Sequence, residues 1–127
     1  MIRKNYYPVL EFDDDKDAVV NPFNWNLEPF SSDKLIITFF PDVMKNLMEN
    51  NQLELEREIS GENPVYVYRF KEQPEILITL GYVGCPACAG NLEFFAACGV
   101  KKVIFCGGGG VLDKNIKAYC KGVKDWK

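Results

Sequence analysis

Two glycine-rich segments stand where an α/β protein would bind a ligand, each directly after a short apolar run. The first is 81–84, which begins and ends with glycine, and the second is a run of four glycines. Residues without a Cβ let a ligand approach backbone amides closely, and ligands of open α/β sheets bind at the carboxyl ends of strands. The spacing predicts either two plain turns or a site for phosphate or sugar oxygens. The ligand-binding residues of that site would be Gly84, Gly107, Gly108, Gly109 and Gly110.

The second candidate for chemistry is a C-x-x-C motif, Cys85 and Cys88, immediately after the first glycine segment. Pro86 is typical of a first helical turn, and the free amides and dipole of a helix N-terminus favour a thiolate. This arrangement predicts dithiol redox chemistry, although small cysteine side chains would also suit close helix packing. Zinc would need two more ligands. Because Cys98 and Cys106 are not spaced as a second half-site, we expect no metal.

The composition excludes several classes of protein. The chain has 127 residues, no histidine, and 15 Lys and Arg against 18 Asp and Glu, which gives a net charge of −3. Without histidine, no Ser-His, Cys-His or His-metal site forms within this chain. No apolar run reaches the ~18 residues of a membrane span, and the first residues do not form a signal peptide. We therefore expect a cytoplasmic protein with reduced thiols that binds neither nucleic acid nor membrane.

The hydrophobic pattern predicts an α/β fold with a mixed sheet. Apolar runs predict strands at 35–40, 53–59, 65–70, 76–80 and 102–106. Pro41 and Pro86 begin the two predicted helices, which end near Asn50 and Cys98. The strands from 53 to 80 read as a β-meander, and 76–106 reads as a right-handed parallel crossover of strand, helix and strand. In this fold the two glycine segments end two parallel, adjoining strands.

One domain is expected, with a core flanked by two different ends. Residues 1–34 are predicted to form an irregular arm, which packs on the core through its Phe and Trp side chains. Residues 35–112 form the α/β core. Residues 113–127 predict an amphipathic terminal helix whose lysines share one solvated face.

Two parts of the core segment resemble the purine nucleoside and uridine phosphorylase family. Residues 76–87 are similar to that family's strand followed by a Gly-x-Gly-x-Pro-Ser/Ala turn, and Leu92-Glu93 lie on the helix that follows. Residues 99–113 are similar to the family's helix end, Gly-Val/Ala-Lys, and to its strand running into Gly-Ser/Thr-x-Gly. The earlier segments 18–22 and 36–40 look like the opening of the same fold.

The resemblance implies a glycosyl transfer in which phosphate attacks the ribose C1′ as the base departs. It implies that Gly84 and 107–110 border the pocket for nucleoside and phosphate, with phosphate as co-substrate and no other cofactor. The family carries an Arg before the last glycine segment and a Ser or Thr within it, both on phosphate. Phe105 and Gly108 hold those positions here. The family also continues through further strands that carry its ribose-binding Glu and the acid for the base.

We therefore expect a truncated, phosphorylase- or hydrolase-like half fold that binds nucleoside or phosphate and lacks full phosphorolysis activity alone. Two alternatives stay open. A half fold exposes apolar sheet surface, and a second copy would bury it, which predicts a homo-oligomeric association module. The C-x-x-C motif predicts a dithiol redox protein instead.

Overall fold

The computed structural model describes residues 2–14, 20–61, 63–110, 112–113 and 115. These residues form strands and two α-helices in the following order. The elements are β1 (Ile2–Arg3), β2 (Phe12–Asp13), β3 (Lys34–Thr38), α1 (Pro41–Glu49), β4 (Leu53–Ile59), β5 (Val65–Phe70), β6 (Leu77–Leu80), α2 (Cys85–Ala97) and β7 (Lys102–Cys106). Apart from Asp113 and Asn115, the terminal helix predicted over 113–127 lies outside the described residues. Neither described helix is long and apolar enough to cross a bilayer.

The main sheet has five strands in the order β4-β5-β6-β3-β7, and β1 and β2 pair separately inside the segment predicted to be irregular. The β4-β5-β6 meander is antiparallel, whereas β3 runs parallel to both β6 and β7. The predicted mixed α/β fold, with its meander and its strand-helix-strand crossover, is thus confirmed.

The prediction that the two glycine-ended strands adjoin each other is wrong, because β3 lies between them. Leu35 is in register with Leu77 of β6 on one side and with Val103 of β7 on the other. The central place of β3 explains its continuous apolar sequence, since a strand with two parallel neighbours is buried on both faces. The crossover from β6 through α2 therefore passes over one intervening strand.

The two helices pack on opposite faces of the sheet. Phe95 of α2 joins the larger core with Leu35 and Ile37, while Met44 of α1 packs with Ile78 and Ile36. Side chains alternate between faces along a strand, so neighbouring residues of β3 serve different cores. The result is a three-layer arrangement in which α2 lies on the same face as the odd-numbered side chains of β3.

Of the Phe and Trp side chains predicted to hold the N-terminal arm on the core, that of Phe30 belongs to the core cluster of Phe95. Phe23 and Trp25 are 60% and 52% exposed, whereas Phe30 is buried. The Phe30 amide donates to the carbonyl of Cys98 at 3.0 Å, and the guanidinium of Arg57 lies 4.4 Å from the centre of the Phe30 ring. Phe30 therefore anchors the arm, because its burial, a backbone hydrogen bond and a cation–π contact together fix its position.

Candidate functional site

The carboxyl ends of β6, β3 and β7 lie side by side and continue beyond their last paired residues. The Gly81 amide donates to the carbonyl of Thr38 at 2.8 Å, and the Phe39 amide donates to the carbonyl of Cys106, also at 2.8 Å. These bonds extend the ladder one step past each strand. Both glycine segments therefore leave the sheet at the same edge, with β3 between them.

A depression of about 350 Å³ lies at this edge, within the usual range of small-ligand pockets. It joins parts of both predicted segments: Gly84 from the first, and Gly107 and Gly108 from the second. Gly109 and Gly110, which were also predicted to bind ligand, do not line it. The full lining consists of Phe39, Tyr82, Val83, Gly84, Cys85, Cys88, Gly107 and Gly108.

Phe39 forms the wall between the two glycine segments, and the sequence reasoning missed its part in the site. A Cβ on Gly81 would come within 2.6 Å of Cε1 of Phe39, and one on Gly107 within 3.3 Å of Cδ2. On the other side the ring stacks on Phe105, with centroids 6.4 Å apart and planes 13° from parallel. Gly81 is therefore needed to seat this ring, whereas a Cβ at Gly107 would crowd the ring without excluding it. The available signal was a phenylalanine directly after a buried strand and before a helix-starting proline.

Backbone donors of the site come from the start of α2. Gly84 caps the helix with a φ of 116°, a backbone conformation that residues other than glycine rarely adopt. Its carbonyl accepts the first intrahelical bond, from the amide of Cys88 at 3.0 Å. The amides of Cys85 and Ala87 precede that bond, so the helix gives them no intrahelical acceptor. Of these two residues only Cys85 lines the depression, so its amide is the helix donor nearest to a ligand there.

The lining is otherwise apolar and includes no lysine, arginine or carboxylate. Its ionisable side chains are Tyr82 and the two thiols of Cys85 and Cys88. The Tyr82 hydroxyl donates to the carbonyl of Pro64 at 2.7 Å, which fixes the ring at the rim. Phe105, at the position where the resemblance would place an arginine, packs its ring on Phe39 instead. The site therefore favours a neutral, flat ligand.

The cysteines differ sharply in accessibility. Cys85 is exposed and Cys88 half-buried, both are free, and both line the depression. Cys98 is buried on the core side, and its burial raises the pKa of the thiol despite the nearby Arg57. Among the described residues, no group of three or more potential ligands is placed to hold a metal ion. Among the four cysteines that the structure describes, the C-x-x-C pair alone therefore combines access with a shared pocket.

A second, larger groove of about 600 Å³ runs along the α1 face and shares Tyr82 with the depression. Met44 and Met48 of α1 line one side, and Tyr66 and Tyr68 of β5 line the other. The carboxylate of Glu58 raises the pKa of Tyr66, so this hydroxyl stays protonated further into alkaline pH. The groove has larger apolar walls but lies away from the amides of Cys85 and Ala87.

Comparisons with known proteins leave the site to be interpreted from its own geometry. No family model matches the chain, and no curated protein or solved structure matches it significantly.

Proposed function

We propose that the depression between the glycine segments binds a nucleoside, in the manner of the nucleoside phosphorylases, without cleaving it by itself. The observation that carries this proposal is that Gly84 and Gly107, from two separate segments, line the same depression, and that the ring of Phe39 forms its wall. The resemblance of 76–87 and 99–113 to that family supports the same ligand class.

The chemistry of the lining suits the two halves of a nucleoside. A base stacks on an aromatic ring with a gain of about 1–3 kcal/mol, and Phe39 and Tyr82 supply such rings. A ribose hydroxyl can accept a hydrogen bond from the amide of Cys85 at the start of α2. A volume of about 350 Å³ lies at the small end of ligand pockets, as a single nucleoside requires.

Inorganic phosphate should bind more weakly than the nucleoside. The lining has no cationic side chain, and each missing charge-assisted bond costs a phosphate on the order of 1.5–3 kcal/mol. Phosphorolysis also needs a group that stabilises charge on the departing base. We therefore expect binding of the nucleoside with neither glycosidic cleavage nor tight binding of phosphate.

Isothermal titration of the protein with a purine nucleoside, a pyrimidine nucleoside and inorganic phosphate tests this proposal. Heat of binding is expected for at least one nucleoside, and the dissociation constant for phosphate should be roughly 10-fold higher or more. Chromatography of the same mixtures should show no free base. Absence of heat with both nucleosides would overturn the proposal, and release of free base would overturn its non-catalytic part.

A pair of tryptophan variants on α2 provides the control. Cys85 lies in the lining and Ala89 lies outside it, yet both are exposed on the same helix. Cys85→Trp should fill the depression and raise the dissociation constant of the nucleoside roughly 10-fold or more, whereas Ala89→Trp should leave it unchanged. Equal effects would show that the nucleoside binds elsewhere.

Dithiol redox chemistry is a second candidate because Cys85 and Cys88 are separated by three positions within one helix. That spacing puts their Cα atoms about 5 Å apart, inside the range that a disulfide spans. Exchange with oxidised glutathione would form the protein disulfide and release two molecules of glutathione thiol. Mass spectrometry after equilibration in glutathione buffers should find the Cys85–Cys88 disulfide. Mixed glutathione adducts alone would contradict it.

A further inference from the structure

The two edges of the main sheet are protected very differently. β4 forms one edge, where Glu54, Arg57 and Glu58 are charged and the register shifts between Leu55 and Arg57. Charged side chains and register irregularities are the usual devices that stop a sheet edge from pairing with another chain. β7 forms the other edge and, among the described residues, pairs only with β3. After Lys102 its sequence is wholly uncharged.

The hydrogen bonds of β7 show which of its backbone groups face outward. The Lys102 amide donates to the carbonyl of Asp33 at 2.9 Å, and the Cys106 carbonyl accepts from Phe39 at 2.8 Å. Even-numbered residues of β7 therefore direct their backbone groups toward β3. Because the direction alternates along a strand, the amides and carbonyls of Val103 and Phe105 face the outer edge.

Apolar side chains accompany these outward-facing backbone groups. Ile104 is 63% exposed on the α1 face of the sheet, and Phe105 is 46% exposed on the α2 face. A groove of about 500 Å³ at the amino end of β7 is lined by Val103 and Ile104 together with three lysines, Lys34, Lys101 and Lys102. The apolar part of this edge is therefore the stretch from Val103 to Cys106, where outward-facing backbone groups and apolar side chains occur together, as β-strand addition requires.

We propose that β7 pairs with β7 of a second copy of this chain, antiparallel, with Ile104 on the two-fold axis. In this register Val103 of each copy exchanges both backbone bonds with Phe105 of the other. Ile104 then faces its own counterpart as a pair without hydrogen bonds, the type in which side chains approach most closely. Both cross-strand pairs are apolar, and such pairs stabilise sheets.

Charge and backbone geometry favour this two-fold arrangement over the alternatives. Lys102 lies opposite Cys106 of the second copy, so the two Lys102 residues are about 13 Å apart along the strands. This exceeds the screening length of about 8 Å at physiological ionic strength. A parallel pair of the two β7 edges in register is excluded by the ladder, because it would set the outward-facing Val103 opposite itself, whereas partners in a parallel pair, such as Leu35 and Val103, direct their backbone groups to opposite sides. Pairing β7 of one copy with β4 of another would bring β7 against the register shift of β4. It would also leave one β4 edge and one β7 edge free, so that further copies could add.

Light scattering across a range of protein concentrations, combined with two glutamate variants, tests the pairing. The wild-type chain should be a dimer, and Ile104→Glu should be a monomer because two carboxylates meet on the axis. Leu55→Glu, at an equally exposed position of β4, should remain a dimer. A wild-type monomer at every concentration would overturn the proposal, as would equal effects of both variants or mass that keeps growing with concentration.

Cysteine cross-linking tests the register. The Cα atoms of the paired Ile104 residues would be about 4.5 Å apart, inside the disulfide range, whereas Val103 faces Phe105 and not itself. Under mild oxidation, Ile104→Cys should yield a covalent dimer beyond the wild-type background, and Val103→Cys should not. Equal cross-linking of both variants would contradict the register.

Discussion

Phe39 occupies the space into which any side chain on Gly81 would project. A methyl group at Gly81 would come within 2.6 Å of Cε1 of that ring and within 2.8 Å of Cγ2 of Ile37. Such distances do not occur between packed carbon atoms, so one of the neighbours must move. The first glycine of the 81–84 segment is therefore a packing requirement of the ring that forms the wall of the site.

Gly81→Ala should destabilise the fold and disturb the position of Phe39. Overpacking of this kind costs about 1–3 kcal/mol, and urea unfolding would measure it as a lower midpoint with unchanged slope. Gly109→Ala is the matched control, since a Cβ there has nothing within 4 Å. Its free energy of unfolding should change by less than about 0.5 kcal/mol. Equal stability of the two variants would contradict the packing of Phe39 on Gly81.

Phe39→Leu should weaken nucleoside binding more than it weakens folding. Leucine retains apolar volume against Phe105 but gives no aromatic face, so the loss of stacking, about 1–3 kcal/mol, should raise the dissociation constant roughly 5- to 150-fold. Phe40→Leu is the control, because Phe40 does not line the depression. Titration calorimetry on both variants measures the difference. A larger loss of affinity in the control would place the base elsewhere.

Local sequence patterns predicted most of the elements but not their neighbours. The helix begun by Pro41 and the strands 53–59, 65–70 and 102–106 lie where expected, because apolar periodicity and helix-starting prolines are local signals. The place of β3 between β6 and β7 depends on pairing between segments far apart along the chain. No local pattern specifies such pairing, so the two glycine segments were expected on adjoining strands.

The site was predictable to the same extent. Gly84, Gly107 and Gly108 were found from their place after strands, since local backbone freedom is visible in a sequence. Phe39 was missed because its role follows from the insertion of β3, which carries it between the two segments. Phe30 was missed as the anchor of the arm for a related reason: its partners Arg57 and Cys98 are distant in sequence.

Arg57→Gln should loosen the N-terminal arm from the core. Its guanidinium donates to the carbonyls of Glu28 at 2.8 Å and Pro29 at 3.0 Å while lying over the Phe30 ring. Loss of charged donors and of the cation–π contact should cost about 1–3 kcal/mol in urea unfolding.

The control for Arg57 is Arg69→Gln, which removes ion pairs to Glu54 at 2.9 Å and Glu56 at 3.4 Å. A surface pair such as Arg69–Glu54 contributes about 0–1 kcal/mol, and salt screens it. Only the Arg69 variant should approach wild-type stability as ionic strength rises. A greater loss from Arg69→Gln at high salt would contradict the assigned role of Arg57.

Glu54 should make folding sensitive to acid. The hydrogen bond and charge of Arg69 lower the pKa of Glu54 from its ordinary value of 4.5. A lowered pKa in the folded state means that the stabilisation is present above the unfolded value and is lost as pH falls through the folded one. The difference in unfolding free energy between wild type and Glu54→Gln should therefore shrink below pH 4.5. A difference independent of pH would contradict the pairing.

Cys98 should behave oppositely, at alkaline pH. Burial raises the pKa of this thiol above its ordinary value of 9.0, so the folded state retains a proton that the unfolded chain loses. Stability from this group is present below that value and is lost as pH rises through the folded pKa. Cys98→Ala should lower stability at neutral pH, since it leaves a small cavity. Above pH 9.0, however, the variant should lose less of its unfolding free energy than wild type does.

Alkylation followed by peptide mass mapping supplies a second measurement on Cys98. Cys85, which is exposed, should react fully before Cys98 does. Early modification of Cys98 would contradict its burial beneath α2 and the arm.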